Sequence, residues 1–123
     1  MKQEIIRIES ECGRLGEKLK QSYQKDFHSL NEVIVIELIR EKKGKCAKEE
    51  DMFTEDYESY LELGVEKDNG YFPNAYIPIW KCRRELFQIV GYLTSQSFQD
   101  IENKLHGIIS EMLEDHVHER NNH

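Results

Sequence analysis

The sequence predicts an all-α fold, with residues 1–123 forming a single compact bundle of about five helices. Charged residues make up 33% of the chain and only two residues are proline, a composition that favours helices over a sandwich or barrel. Apolar residues recur at spacings of three and four near both ends of the chain. Residues 78–93 hold the single Trp and the densest apolar run, so we expect them to form the central helix.

Residues 1–25 carry the first predicted helix. Five apolar residues share one helical face at spacings of three and four, as in an amphipathic or coiled-coil helix: Ile5, Ile8, Cys12, Leu15 and Leu19. We interpret this stripe as the packing face of the helix. The alternative is a homodimer seam formed by the same five residues.

Residues 30–43 carry the second predicted helix. Ser29 and Glu32 have the spacing of a capping box, and Gly44 follows a cationic turn as a stop signal should. The run of residues 33–36 is entirely β-branched, which favours a strand. A strand over 33–39 is therefore the open alternative.

Residues 54–63 carry a third, shorter predicted helix between Thr54 as N-cap and Gly64 as stop. Residues 64–77 are then an irregular loop. Asp68, Asn69 and Gly70 form a strong turn signal, so a small hairpin near 62–76 is the alternative there.

The last two predicted helices cover 78–93 and 97–119. In the central one the apolar stripe begins at Ile79 and Cys82 and ends at Leu93. In the last one Ser97 and Asp100 form a variant of the capping box.

The charge of the chain is concentrated in its middle. The net charge is −7, and residues 48–68 hold nine acidic residues against two basic ones. On the predicted third helix, Asp51, Glu55, Glu58 and Glu62 would share one face, although like charges at these spacings cost about 0.2–0.5 kcal/mol per pair. A face kept at such a cost indicates a basic partner. The alternative is a solvated face that only keeps the protein soluble.

These features predict an inhibitor of the immunity-protein, antitoxin or phage anti-defence (anti-CRISPR) type, with no enzymatic activity. It would bind a basic, nucleic-acid-handling target protein through an acidic helix face and an adjacent aromatic loop. The residues predicted to bind this partner are Glu49, Glu50, Asp51, Glu55, Glu58, Glu62, Tyr71 and Phe72. The alternative function is a self-associating helical module, structural or regulatory.

Other functional classes find little support in the sequence. There is no H-E-x-x-H, paired-Cys, Walker or G-x-S-x-G pattern, so we expect no metal, cofactor or catalytic residues. An enzyme would need a pocket around Trp80, Cys82 and His106. The one basic run, 40–48, adjoins the acidic block, which disfavours direct nucleic-acid binding. Three scattered cysteines and the lack of an 18-residue apolar run predict a cytoplasmic protein without a membrane segment.

Overall fold

The computed structural model describes residues 1–121, and the side chains of residues 1–119, as an α+β fold. A five-stranded antiparallel sheet lies between two long helices in sequence, so the prediction of an all-α bundle is wrong. The elements are α1 (Lys2–His28), β1 (Val33–Lys42), β2 (Lys45–Cys46), a short 3-10 helix (Glu49–Asp51), β3 (Tyr57–Lys67), β4 (Gly70–Glu85), β5 (Gln88–Leu93) and α2 (Phe98–Asn121).

Both terminal helices are confirmed. At the start of α2 the predicted capping box forms: the Asp100 N–H donates to Ser97 Oγ, and the Ser97 N–H donates to an Asp100 carboxylate oxygen, each at 3.1 Å. Two of the free N–H groups at the start of the helix are satisfied in this way. No helix within the described residues is long and apolar enough to cross a membrane.

The predicted second helix, 30–43, is wrong, and its strand alternative is confirmed by β1. Ser29 does not start a helix, because its hydroxyl donates to the Asp26 carbonyl at the end of α1. Asn31 has a φ of 62° and turns the chain into β1. The glycine that was interpreted as a helix stop belongs to a two-residue hairpin turn, in which Lys43 and Gly44 have φ values of 52° and 80°. Positive φ at both positions is the geometry that fits the twist of a hairpin.

The predicted helix over 54–63 is also wrong, whereas the hairpin near 62–76 exists and is much longer than expected. β3 and β4 pair from Lys67 and Gly70 at the turn to Glu58 and Lys81. Asp68 and Asn69 form the turn with φ values of 51° and 64°. Along β3, alternate residues from Tyr57 to Val65 are buried, which is the period of a strand with one covered face.

The predicted central helix, 78–93, is the end of β4 joined to β5 by the turn Leu86–Phe87. In this strand Ile77 and Ile79 are buried, and beyond a shift in the register with β3 the buried residues are Trp80 and Cys82. Pro78 is tolerated in this inner strand because the pairing register with β3 shifts between Ser59 and Tyr60, opposite the proline.

The sheet has the order β2-β1-β3-β4-β5, and both helices pack on one of its faces. α1 lies across β1, β3 and β4, and α2 contacts α1 and β4. Four residues of the stripe on α1, Ile5, Cys12, Leu15 and Leu19, are buried, and Ile8 is partly buried. The stripe that could have formed a homodimer seam is therefore covered within the chain.

A buried carboxylate ties α1 to the sheet. The Glu9 side chain is fully buried and accepts hydrogen bonds from Tyr57 Oη and from Arg40 Nε, both at 2.9 Å. Burial, and then the Glu9 carboxylate, raise the pKa of Tyr57. A buried charge needs such partners, so this cluster fixes the position of α1 against β1 and β3.

The segment between β2 and β3 closes one end of the core. Met52 is fully buried, and its carbonyl accepts hydrogen bonds from Trp80 Nε1 at 2.7 Å and from Cys82 Sγ at 3.3 Å. Phe53 packs edge-on against the Trp80 ring, with the ring centroids 5.8 Å apart. The segment that carries Glu49, Glu50, Asp51 and Glu55 is therefore anchored to β4 through Met52 and Phe53.

Candidate interaction surface on the open face of the sheet

One face of the sheet, which no helix of the described residues covers, presents a group of glutamates. We call it the open face. Strand alternation directs Ile36 and Leu38 of β1, and Leu61 and Leu63 of β3, into the core. The residues between them point to the opposite side. We call this group the acidic face: Glu37 and Glu41 on β1, and Glu58, Glu62 and Glu66 on β3.

Within the acidic face, like charges lie opposite one another across the two strands. Glu37 pairs with Glu62, and Glu41 pairs with Glu58. Residues opposite each other in an antiparallel pair have Cβ atoms about 5 Å apart, and like charges at this position are destabilising. The chain therefore places two pairs of like charges on the same face of the sheet.

Burial and the neighbouring carboxylate both affect the pKa of Glu58. Burial and then the neighbouring Glu41 carboxylate raise the pKa of Glu58. Lys81, which pairs with Glu58 on β4, acts in the opposite direction. The net shift is upward, so burial and the Glu41 carboxylate outweigh Lys81 at this point of the sheet.

Tyrosines of the same face lie beside the carboxylates. We call Tyr60, Tyr71 and Tyr76 the tyrosine cluster. The Tyr60 and Tyr76 rings pack edge to face with centroids 5.6 Å apart, and Tyr76 is 65% exposed. Tyr71 lies over Gly64, where an added Cβ would be only 2.6 Å from the Tyr71 hydroxyl oxygen.

Two phenols of this cluster, those of Tyr60 and Tyr71, stay protonated. Burial, followed by the Glu41 carboxylate, raises the pKa of Tyr60 to about 12. Burial, followed by the Glu62 carboxylate, raises the pKa of Tyr71 to about 12. At neutral pH the face therefore combines carboxylate acceptors with phenol donors and aromatic rings.

The structure separates the residues that the sequence grouped together. Glu58, Glu62 and Tyr71 lie on the open face. Phe72 pairs with the buried Val65 and therefore lies on the helix side, with Lys67 Nζ 5.4 Å from its ring centroid.

The other four predicted residues lie between β2 and β3. Glu49, Glu50 and Asp51 form the 3-10 helix, where an Asp51 carboxylate oxygen accepts a hydrogen bond from the Lys48 N–H at 3.0 Å. Glu55 follows this helix and forms an ion pair with Arg84 at 3.1 Å. The predicted single helical face does not form, because Asp51 and Glu55 lie outside the strand that carries Glu58 and Glu62.

Five residues of the open face were missed by the sequence reasoning: Glu37, Glu41, Tyr60, Glu66 and Tyr76. For most of these residues the sequence contains a pattern that indicates their face of the sheet. From Glu58 to Glu62 the polar and aromatic residues alternate with buried ones, and the strand alternative for 33–39 places Glu37 on the side away from Ile36. The pairing of the two strands could not be obtained from this alternation.

The acidic face has no arrangement that indicates metal chemistry. Among residues 1–121 no group of three His, Cys, Asp or Glu side chains is placed to hold a metal ion. Its geometry suits binding of a cationic surface, in which guanidinium or ammonium groups would lie between paired carboxylates. Comparison with protein-family models, with curated proteins and with solved structures finds no significant match for this chain.

Proposed function

We propose that this chain is a protein-binding inhibitor whose acidic face docks on a basic surface of a nucleic-acid-handling target protein. One observation carries the proposal: Glu37 lies opposite Glu62, and Glu41 lies opposite Glu58, on the open face of the sheet. Each such pair costs about 0.2–1 kcal/mol of folding free energy. A cation of a partner placed between the two carboxylates would turn this repulsion into attraction.

The neighbouring tyrosines favour arginine as the residue that the partner presents. A guanidinium group can bond two carboxylate oxygens and stack on an aromatic ring at the same time. The Tyr60 and Tyr76 rings lie beside the Glu37–Glu62 pair, since Tyr76 is opposite Glu62 on β4. Buried tyrosine and arginine contacts are also those that contribute most to protein interfaces.

A basic target of this kind would normally use the same arginines and lysines for phosphate groups. Proteins that bind nucleic acid neutralise phosphates with clustered Arg and Lys side chains. Carboxylates bound to these side chains would occupy the site and exclude the nucleic acid. Inhibition would then follow from competition for one basic surface and needs no chemistry in the inhibitor.

The first test is a capture experiment with matched charge reversals. The native protein, a Glu58→Lys/Glu62→Lys variant and a Glu17→Lys/Glu111→Lys control are used as bait in extracts of the source cell and of its natural competitors. The control carries the same charge change at exposed positions on the two helices. We expect a basic protein to be captured by the native and control baits and lost with the first variant. Equal capture by all three baits would exclude the acidic face as the binding site.

The second test uses the captured protein in purified form. Electrostatic docking predicts that the association rate falls steeply as the salt concentration rises, because surface charges are screened. We also expect the chain to displace nucleic acid from the target in a fluorescence-anisotropy titration. A target that binds the chain and its nucleic acid together, without competition, would rule out this mechanism of inhibition.

A further inference from the structure

β5 is the outer strand at one side of the sheet, and within the described residues only β4 pairs with it. Glu85 and Gln88 close the two-residue turn, and the pair that closes such a turn is hydrogen-bonded. Hydrogen-bonded and non-hydrogen-bonded pairs alternate along an antiparallel ladder, so Ile89, Gly91 and Leu93 belong to the non-hydrogen-bonded pairs. Their N–H and C=O groups therefore point away from β4. These backbone groups form a free hydrogen-bonding edge.

This edge lacks the usual features that prevent pairing with another strand. β5 contains no charged residue and no proline, and its register with β4 has no shift. Natural edge strands are usually protected by lysine, proline, bulges or a covering element. At the other side of the sheet, β2 pairs only with Glu41 and Lys42 at the end of β1. The rest of β1 differs from β5, because Ile34, Val35 and Ile36 are buried and Ile36 packs closely against Gly16 of α1.

The turn before β5 exposes two large apolar side chains. Leu86 is 90% exposed and Phe87 is 98% exposed. Leu86 also has a φ of 56°, a backbone conformation that L-residues with a branched side chain rarely adopt. Packing within this chain does not explain why leucine and phenylalanine occupy these two positions.

We propose that β5 pairs with β5 of a second copy of the chain, in antiparallel orientation, so that two sheets join into one. The two-fold axis would be perpendicular to the sheet at Val90, which places Val90 opposite Val90 and Ile89 opposite Gly91. In this register Phe87 falls opposite Leu93, and the exposed turn of each copy gains an apolar neighbour. An alternative register, with Gly91 opposite Gly91, would also keep the same faces of the two sheets together. It would leave Phe87 without an opposite residue in β5 of the other copy.

Charge favours a second copy over a strand of a basic partner. β5 offers no carboxylate to a cation, and two uncharged strands place no like charges directly opposite each other when they pair. The β3 strands of the two copies would lie five strand spacings apart, about 24 Å. This distance exceeds two Debye lengths, roughly 16 Å, at physiological ionic strength, so repulsion between the two acidic faces is largely screened.

This inference does not depend on the proposed function, because β5 lies on a different part of the sheet from the acidic face. A dimer of this kind would present two acidic faces on the same side of one continuous sheet. A target protein with two basic sites would then bind with higher avidity than either site alone provides.

A disulfide cross-link tests the register directly. In the proposed dimer the two Val90 residues form a non-hydrogen-bonded pair, with Cα atoms about 4.5 Å apart, which lies within the range of a disulfide. Val90→Cys is made in a Cys46→Ser background, since Cys46 is exposed and Cys12 and Cys82 are buried. We expect a covalent dimer on mild oxidation. Gln88→Cys in the same background is the control, because its two copies would lie about 13 Å apart, four residues along the strand.

Light scattering after size exclusion gives the second measurement. We expect the molar mass of the native protein in solution to rise with its concentration to twice the chain mass of 14.7 kDa. Ile89→Pro should remain a monomer, because proline removes an outward N–H and no bond between β5 and β4; circular dichroism checks that it is folded. A native protein that stays monomeric at every concentration would overturn the proposal. The proposal would also be overturned if the native protein dimerises, the Ile89→Pro variant still dimerises, and the Val90→Cys variant forms no covalent dimer.

Discussion

Glu41 on β1 lies directly opposite Glu58 on β3, on the open face of the sheet. This arrangement predicts that Glu58→Gln stabilises the protein. Removing one charge of the pair should raise the free energy of unfolding at neutral pH by about 0.5 kcal/mol, measured by urea denaturation. Glu66→Gln is the matched control, since Glu66 is on the same strand but lies between Val33 and Tyr71; we expect it to change stability little.

The same pair predicts a pH dependence. Burial and Glu41 raise the pKa of Glu58, so the folded state favours the protonated carboxyl. The stability that protonation of Glu58 gives the folded state is fully present below the pKa of Glu58 in the unfolded chain. It is lost as the pH rises through the raised pKa of Glu58 in the folded chain. We therefore expect Glu58→Gln to flatten the decline of stability over this interval. An unchanged slope between native and variant proteins would contradict the assignment.

The buried cluster of Glu9, Arg40 and Tyr57 predicts a large loss of stability from one substitution. Arg40→Ala leaves the fully buried Glu9 carboxylate without its cation, which should cost about 3 kcal/mol of unfolding free energy. Lys18→Ala is the comparison, because the Lys18–Glu102 pair is exposed at its lysine and 3.8 Å long. Such a pair contributes less than about 1 kcal/mol. Equal losses in the two variants would show that Glu9 does not depend on Arg40.

Two glycine substitutions should have opposite effects. A Cβ at Gly91 would lie 2.1 Å from a ring atom of Trp80, so Gly91→Ala must displace the ring and should cost about 2 kcal/mol, in the range of overpacked cores. A Cβ added at Gly107 in α2 would meet nothing within 4 Å among the described residues, apart from its chain neighbours and the nearby backbone of the same helix. Gly107→Ala should therefore stabilise the protein by up to about 1 kcal/mol through helix propensity. Thermal unfolding measures both, and only Gly91→Ala should also change the emission of the single Trp.

The turn between β4 and β5 predicts a stabilising substitution. Leu86 has positive φ at the first position of a two-residue turn, where glycine is preferred. Leu86→Gly should therefore raise the unfolding free energy of the dilute monomer by about 1 kcal/mol, the approximate cost of this conformation for an L-residue. Phe87→Ser is the control, since it removes the other exposed apolar side chain and leaves the φ at Leu86 unchanged. A similar gain in both variants would mean that exposure, and not backbone strain, explains the effect.

The sequence predicted both ends of the chain correctly because only one periodicity fits them. The central residues fit both the periodicity of a helix and that of a strand. Residues four apart share a face in a helix and also in a strand, since four is a multiple of two, so Glu58 and Glu62 lie together under either interpretation. Residues three apart distinguish the two structures: Glu55 and Glu58 share a face only in a helix.

Capping motifs were ambiguous in the same way. Ser97–Asp100 and Ser29–Glu32 have the same spacing, yet only the first begins a helix. The β-branched run that follows Glu32 decided the outcome for the second. Glu37 and Glu41 could not be assigned to the acidic face from local sequence, because their position opposite Glu62 and Glu58 depends on a pairing between strands that are distant in the chain.

That pairing differs from all others in the sheet. β1–β2, β3–β4 and β4–β5 are hairpins closed by two-residue turns, whereas β1 and β3 meet only after the chain has crossed residues 43–56. Their association carries the larger loop-closure entropy, and the opposed glutamates weaken the same seam. We expect the sheet to separate there first under native conditions, so amide hydrogen exchange should be faster between β1 and β3 than between β3 and β4.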